Sequence, residues 1–251
     1  MLGDDLLELL NDRVPADHSR QMLADDYVGH WYARWRAEHG PGARVLDLGC
    51  GAGDSIDVFR RHDPAVRWVG LDLPSSPEVD ARRRTDAEFA SFDGESIPFP
   101  DAEFELVYCK QVLEHVRRPQ PLLAEVARVL APGGHLVGST SQLEPFHSLS
   151  VGNLTPYGLA LSLEAAGLEP VEFRPNIDGL TLTLRRMLGM HPYFNRWWAR
   201  ESPVNRMIGV FGRINRLSPR SVNAIKLLLC GQFCFAARRP TDAGRPEDLA
   251  T

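Results

Sequence analysis

The sequence predicts a doubly wound α/β fold built on a seven-stranded sheet. Three observations lead to this prediction: short apolar runs recur along the chain, helical patterns separate several of them, and a glycine-rich turn directly follows the first run. At about 150 residues per domain, 251 residues allow one large α/β domain or two small ones. The composition, 43% hydrophobic and 24% charged, excludes collagen-like and fully disordered chains.

The strand candidates are short, apolar and bounded by turn residues. The first follows a Gly-Pro-Gly turn, and the full set is 44–48, 66–71, a weaker run at 88–92, 104–109, 135–140, 168–173 and 232–237. Helical spacing occupies 121–130 and 156–166. Thr155 before Pro156 is a typical helix start, and the segment 131–134 is expected to end the preceding helix. Because strands and helices alternate, we expect a parallel sheet with helices on both faces.

We interpret residues 1–239 as one domain, with a helical part at 1–40 and a flexible tail at 240–251. A basic, aromatic-rich helical insertion at 180–226 separates the last two strands. It holds nine Lys and Arg residues against one acid, which gives +8 in a chain whose net charge is −5. Two interpretations stay open: a helical cap with solvated arginines, or an amphipathic lid that meets an anionic or lipid-linked acceptor or a membrane.

The first residues, the lack of a long apolar run and the cysteine pattern together indicate the cellular compartment. The first ten residues carry acids where a signal peptide needs basic residues, and no run approaches the ~18 apolar residues of a membrane span. The four cysteines form no CxxC pair and have no histidines at zinc-ligand spacing. We therefore expect a cytoplasmic protein, with membrane association through the basic insertion as an option, and neither a metal site nor disulfides.

The most informative stretch is VLDLGCGAGD at 45–54, in which a buried strand enters a glycine turn and then a helix. A dinucleotide site would need glycine at position 54, where the chain has Asp54. Asp47 and Asp54 would oppose a pyrophosphate but suit a cationic ligand such as S-adenosylmethionine (SAM). Asp72 ends the second strand, where it can bind a ribose diol, and Asp93 follows the third, where it can accept from an adenine amino group.

Four ordered motifs resemble those of the class I SAM-dependent methyltransferases, in particular the ubiquinone- and menaquinone-biosynthesis group. They are VLDLGCGAGD, VGLDL, FDGESIPFPDAEFELVYCKQVLEHV and LLAEVARVLAPGGHLVGST, and together they cover about residues 43–140. The resemblance implies a Rossmann-like seven-stranded fold, SAM as cofactor and S-adenosylhomocysteine as its product. It also implies a set of cofactor-binding residues: Asp47, Gly49, Gly51 and Gly53 for the methionine end, Asp72 for the ribose, Asp93 and Gly94 for the adenine, and Cys109 and Lys110 through their backbone. Cys50 and Leu73, next to these positions, complete the cofactor-binding set.

The resemblance leaves the acceptor open, because this fold selects its acceptor with segments outside the matched motifs. The loop at 141–148 follows the fifth strand at the edge where ligands bind in open α/β sheets. His147 and Glu144 in this loop are the first candidates for a general base, and His115, within the matched motifs, is the next. Two further residues could line the pocket: Asn153 and Tyr157.

We predict a SAM-dependent methyltransferase that acts on a hydroxyl of a small-molecule, glycan or lipid-linked acceptor. Nucleic acid is not an expected partner, because Cys109, Lys110 and Gln111 stand where nucleic-acid methyltransferases carry N/D-P-P-Y/F/W. Two alternatives stay open. One is carbon or nitrogen methylation of a metabolite, and the other is a non-catalytic SAM-binding or scaffold subunit.

Overall fold

A computed structural model describes residues 2–241, so most of the predicted tail at 240–251 lies outside the described residues. The structure contains one seven-stranded sheet formed by β1 (Arg44–Leu48), β2 (Arg67–Asp72), β3 (Glu88–Ser91), β4 (Phe104–Lys110), β5 (Leu130–Ser141), β6 (Glu169–Pro175) and β7 (Gln232–Arg238). The strand order is β3-β2-β1-β4-β5-β7-β6. This order reverses at β1 and β4, which confirms the predicted doubly wound fold.

The expected parallel pairing is found for β1 to β5 but does not extend to the last strand. β7 runs antiparallel to both of its neighbours, β5 and β6, whereas β1 to β5 pair in parallel. The boundary predicted at 131–134 also differs, because these residues begin β5 and do not form a turn before it. Gly133, at φ 79°, lies between Leu130 and His135, where the pairing of β5 with β4 shifts register.

Nine α-helices are present among the described residues: α1 (Asp4–Leu10), α2 (Ala24–His39), α3 (Ile56–His62), α4 (Pro77–Asp80), α5 (Pro119–Val129), α6 (Pro156–Ala165), α7 (Gly179–Met187), α8 (Pro203–Ile214) and α9 (Pro219–Leu229). Short 3-10 helices occupy Asn11–Arg13, Leu113–His115 and Pro192–Trp197. Thr155 caps α6 as predicted, since its hydroxyl accepts the N–H of Gly158 at 3.0 Å.

Both faces of the sheet are buried under helices. Leu46 and Leu48 of β1 belong to the core cluster that includes residues of α1, α5, α6 and α9, whereas Val45 belongs to the cluster formed with α2 and α3. Neighbouring residues of a strand point to opposite faces, so this division follows directly from the strand geometry. The two clusters hold the sheet rigidly and fix the positions of the loops at its carboxyl edge.

The segment between β6 and β7 is helical, with α7, α8 and α9 in succession. α9 contacts α1 and β6, and α8 lies on α9. Across residues 2–241, no helix combines the length and the apolar character needed to cross a bilayer. All four cysteines are free and buried, and burial raises the pKa of each thiol, that of Cys50 to about 12.

Candidate functional site

The turn between β1 and α3 requires its three glycines. Gly49, Gly51 and Gly53 have φ values of 73°, 50° and 84°, in the left-handed region that side chains other than glycine rarely adopt. A Cβ atom on Gly49 would also collide with the side chain of Val112. The chain can therefore bring its backbone close to a ligand at this carboxyl edge, beside the segment that follows β4.

Asp72, the last residue of β2, holds the glycine turn from the neighbouring strand. One carboxylate oxygen accepts the N–H of Gly51 at 2.7 Å, and the other accepts the N–H of Leu73 at 2.7 Å. A Cβ atom on Gly94 would lie in ordinary contact, 3.4 Å, with the side chain of Leu73. The predicted residues at the ends of β2 and β3 are therefore neighbours, as a single elongated ligand would require.

Asp47 is a buried carboxyl group at the end of β1. It accepts a hydrogen bond from the hydroxyl of Ser55, and it forms no ion pair with any residue in the described part of the chain. Burial raises the pKa of Asp47 to about 7, although the Ser55 hydroxyl and the nearby Lys110 ammonium act in the opposite direction. A cationic ligand group would stabilise the ionised form, which the protein alone leaves without a partner.

Asp93 occupies a turn after β3. One of its oxygens accepts the N–H groups of Ser96 and Glu95 at 2.7 and 2.8 Å, and these two donors lower the pKa of Asp93. Its second oxygen accepts no hydrogen bond from the described residues. The side chain therefore forms the turn and still keeps one acceptor for a ligand.

The structure assigns a partner to Lys110 that sequence reasoning had not identified. Its ammonium lies 2.8 Å from a carboxylate oxygen of Asp25 in α2, and the Tyr108 hydroxyl donates to the same oxygen at 2.8 Å. The pair joins α2 to the end of β4. Cys109 lies between Tyr108 and Lys110 in β4. Its side chain is buried in the core, so only its backbone is available to a ligand at the strand end.

Arg82 was also missed by sequence reasoning. Its guanidinium donates two hydrogen bonds to the carbonyl of Gly51, at 2.9 and 2.7 Å, and lies 3.9 Å from the ring centre of Phe89. The same group approaches the sulfur of Cys50 at 3.5 Å. The segment after α4 thus fixes the glycine turn through backbone contacts that no sequence motif indicates.

The three candidate base residues lie together at the carboxyl edge of β4 and β5. The rings of His115 and His147 meet edge to face, with their centres 5.3 Å apart. Nδ1 of His147 lies 3.8 Å from a carboxylate oxygen of Glu144. Glu144 in turn accepts from the Ser141 hydroxyl and the Gln232 amide, each at 2.7 Å. The structure therefore brings together residues that lie 32 positions apart in the chain.

Glu114 connects this cluster to the sheet. It is buried, and one of its oxygens accepts from the Thr140 hydroxyl at 2.9 Å. The other lies 3.1 Å from the Ser141 hydroxyl, which has one hydrogen to donate to either Glu114 or Glu144. Burial raises its pKa. Glu114 belongs to the loop that follows β4. This loop begins at Gln111, whose φ of 55° is unusual for a residue other than glycine. Because Val112 of this loop touches the glycine turn, the cluster and the turn form the two halves of one site.

Glu114, His115 and His147 also offer ligand atoms within 4.8 Å of one another, a set that could hold a metal ion. Both oxygens of Glu114 lie within hydrogen-bond distance of a hydroxyl group, at 2.9 Å from Thr140 and 3.1 Å from Ser141. We therefore treat the cluster as a hydrogen-bonded wall of the site. Of the two predicted lining residues, Asn153 donates to the carbonyl of Glu144 at 3.0 Å and so holds the loop, and Tyr157 is partly exposed in the first turn of α6.

A separate cavity of about 790 Å³ lies at the opposite edge of the sheet. Its lining includes His135 of β5, Glu169 of β6 and Arg238 of β7, which are paired with one another across these three strands. Glu169 begins β6 and Arg238 ends the antiparallel β7, so the cavity lies at the amino edge of the parallel strands. Burial, with the charge of Arg238, lowers the pKa of His135 to about 4. Ligands of open α/β sheets bind at the carboxyl edge, so we place the functional site at the glycine turn.

Comparisons with known sequences identify the family to which the central part of the chain is similar. Residues 46–138 match a family described as a methyltransferase domain. The chain is 39% identical over 98 residues to the demethylmenaquinone methyltransferase of Renibacterium salmoninarum, covering 39% of this chain and 40% of the relative. It is 36% identical over 118 residues to the ubiquinone biosynthesis O-methyltransferase of Hahella chejuensis, covering 42% and 46%. The chain thus spans less than half the length of these two relatives.

Solved structures show the same fold at low sequence identity. The cyclase SpnF matches with a TM-score of 0.56 and 21% identity, over 94% of this chain and 91% of its own. A SAM-dependent methyltransferase from Mesorhizobium loti matches with a TM-score of 0.52 and 19% identity, over 86% of this chain and 100% of its own. One of these proteins is named as a cyclase, so the fold alone does not determine the reaction.

Proposed function

Because the chain belongs to the class I SAM-dependent methyltransferases, whose cofactor is SAM, we propose that it transfers the SAM methyl group to a hydroxyl oxygen of a small-molecule, glycan or lipid-linked acceptor. The observation that carries this proposal is the cluster of His147, His115 and Glu144 beside the glycine turn. A relative named as an O-methyltransferase of ubiquinone biosynthesis adds support for an oxygen acceptor.

The residues of the glycine turn fit the cofactor. Asp47 is a buried carboxyl group without an ion-pair partner among the described residues, so it suits the cationic amino acid end of SAM. We assign Asp72 and Leu73 to the ribose, and Asp93 and Gly94 to the adenine. When bound, SAM supplies an electrophilic methyl carbon on a sulfonium sulfur, which keeps the electron pair of the broken bond.

On the acceptor side, the protein has to orient a hydroxyl and remove its proton. Nδ1 of His147 faces Glu144, so we assign the proton-accepting role to Nε2. Glu144 is itself held by Ser141 and Gln232, which fixes the carboxylate beside the imidazole. Orientation of reacting groups can contribute ~7–11 kcal/mol and a base about 10²–10⁴-fold, so alignment supplies the larger part of the rate.

The second candidate is methylation of a carbon or nitrogen atom. It is favoured by the relative named as a demethylmenaquinone methyltransferase, so a quinone-type acceptor belongs among the first compounds to test. A non-catalytic SAM-binding subunit is the third alternative. The half-buried histidine pair next to an intact glycine turn argues against it.

The proposal is tested by incubating the protein with methyl-labelled SAM and a cell extract, and then identifying the labelled product and its methylated atom. We expect label on an oxygen atom of a small molecule, glycan or glycolipid. Label on carbon or nitrogen would support the second candidate, and SAM binding without any transfer would support the third. In the same preparation SAM should raise the melting temperature and NAD should not.

The pH dependence of SAM binding provides a separate prediction. Asp47 has a pKa of about 7 without ligand, and only its ionised form attracts a cation. SAM affinity should therefore increase as pH rises through 7, by several-fold and at most about tenfold between pH 6 and pH 7.5. Calorimetry at several pH values would measure this. In Asp47→Asn the dependence should disappear, and a pH dependence that persisted in this variant would assign it to another group.

A further inference from the structure

Helix α8 leaves an apolar face uncovered. Its inner face contains the buried residues Asn205, Ile208 and Gly212. Residues three and four positions apart lie on the same side of a helix. The outer face accordingly presents one stripe whose members are 47–75% exposed: Met207, Val210, Phe211 and Ile214.

Helix α7, which contacts α8, has a stripe of the same kind. Thr181 and Leu182 of α7 are buried. Leu180 and the residues four, seven and eight positions after it lie on one side and are 41–74% exposed: Leu180, Leu184, Met187 and Leu188. Monomeric proteins rarely leave several large apolar side chains exposed on adjoining elements. We refer to these two sets as the apolar stripes.

Exposed arginines border the stripe of α8. Arg206 and Arg213 are two turns apart on one side of it, and Arg216 follows the helix. None of the three forms an ion pair with a residue described by the structure. Other cations of the insertion are engaged, since Arg220 pairs with Asp12 at 2.7 Å and Lys226 pairs with Glu201. Net positive charge therefore remains next to exposed apolar surface.

We propose that the apolar stripes of α7 and α8, with Arg206, Arg213 and Arg216, bind the headgroup region of an anionic lipid bilayer. An apolar face bordered by basic residues is the arrangement with which helices lie in a membrane interface. A second copy of the chain is a poorer occupant. A two-fold contact would bring the arginines of both copies together, and the insertion's single acid, Glu201, is already paired.

The apolar stripes adjoin the acceptor side of the site. Arg186 of α7 donates a hydrogen bond to the carbonyl of Phe146, and a Cβ atom on Gly179 would contact Leu143. Phe146 and Leu143 are exposed and belong to the loop that carries His147. If the proposed methyl transfer is correct, this arrangement selects a lipid-linked acceptor that is held at the bilayer surface. Bilayer binding itself does not depend on methyl transfer.

Flotation with vesicles of phosphatidylcholine, with and without phosphatidylglycerol, tests the proposal in the absence of SAM and acceptor. The wild type should bind the anionic vesicles only, and less at high salt. Arg206→Gln combined with Arg213→Gln should weaken binding about 25-fold, because each basic residue near such a surface contributes about 1 kcal/mol, or about fivefold. Phe211→Ser with Ile214→Ser should also weaken it.

Matched controls are available on other parts of the surface. Arg36→Gln in α2 and Leu9→Ser in α1 alter exposed residues of the same types and should bind as the wild type does. Absence of binding by the wild type would overturn the proposal, as would equal effects of control and test variants. A wild-type dimer in light scattering that the Phe211 and Ile214 changes convert to a monomer, with no vesicle binding, would instead identify a second copy as the occupant.

Discussion

His147→Ala should lower kcat by about 10²–10⁴-fold while SAM affinity stays unchanged, once an acceptor has been identified. The expected cause is loss of the atom that removes the hydroxyl proton during transfer. Rates have to be measured at saturating SAM, so that the titration of Asp47 does not enter the profile. The acidic limb of the pH–rate profile should disappear in the variant, and added imidazole should restore part of the rate.

His115→Ala and Glu144→Gln are the matched controls. The ring of His115 packs against that of His147, and Glu144 lies 3.8 Å from its Nδ1. Both changes should therefore reduce kcat less than His147→Ala, through loss of orientation. A chelator should have no effect on any of these proteins. Full activity of His147→Ala at every pH would eliminate this base, and loss of wild-type activity with a chelator would indicate a cation held by Glu114 and the histidines.

Asp72→Ala should weaken SAM binding by about 10- to 150-fold, as expected when a charged hydrogen-bond acceptor worth ~1.5–3 kcal/mol is removed. The structure adds a second reason, because the same carboxylate accepts the N–H of Gly51 and so fixes the glycine turn. Calorimetric titration with SAM and with S-adenosylhomocysteine should show similar losses, since both ligands carry the ribose.

Asp72→Asn separates the two roles of this side chain. It retains one carbonyl oxygen for the N–H of Gly51 but loses the charge and one acceptor, so it should bind SAM more weakly than the wild type and more strongly than Asp72→Ala. Asp5→Ala, at an exposed acid of α1 outside the site, should leave the affinity unchanged. Equal SAM affinity in the wild type and Asp72→Ala would remove the ribose assignment.

The sequence allowed the sheet and the glycine turn to be predicted because both depend on local patterns. The apolar runs agree with the strands to within a few residues, except that β5 begins five positions earlier than expected. The glycine turn was identifiable because its backbone angles exclude other residues. The antiparallel direction of β7 could not be found in this way, because an apolar run indicates a strand without giving its orientation.

The polar contacts that complete the site could not be predicted, because they join residues distant in the chain. Asp25 and Lys110 are 85 positions apart, and Thr140 and Glu114 are 26 apart. No periodicity or motif indicates such pairs. His147 was proposed from its loop position alone, and its contact with His115 results from the adjacent ends of β4 and β5. The roles of these residues stay predictions until the variants are measured.

The position of β7 has a consequence for how the chain folds. It is the last strand to be synthesised, yet it lies between β5 and β6 and pairs with both along its length. Until residue 232 is available, β5 and β6 each present an unpaired edge, and such edges are templates for aggregation. Closing the sheet also needs contacts that are far apart in sequence, which slows folding. A nascent or truncated chain that lacks β7 should therefore depend on chaperones much more than a chain that includes β7 does.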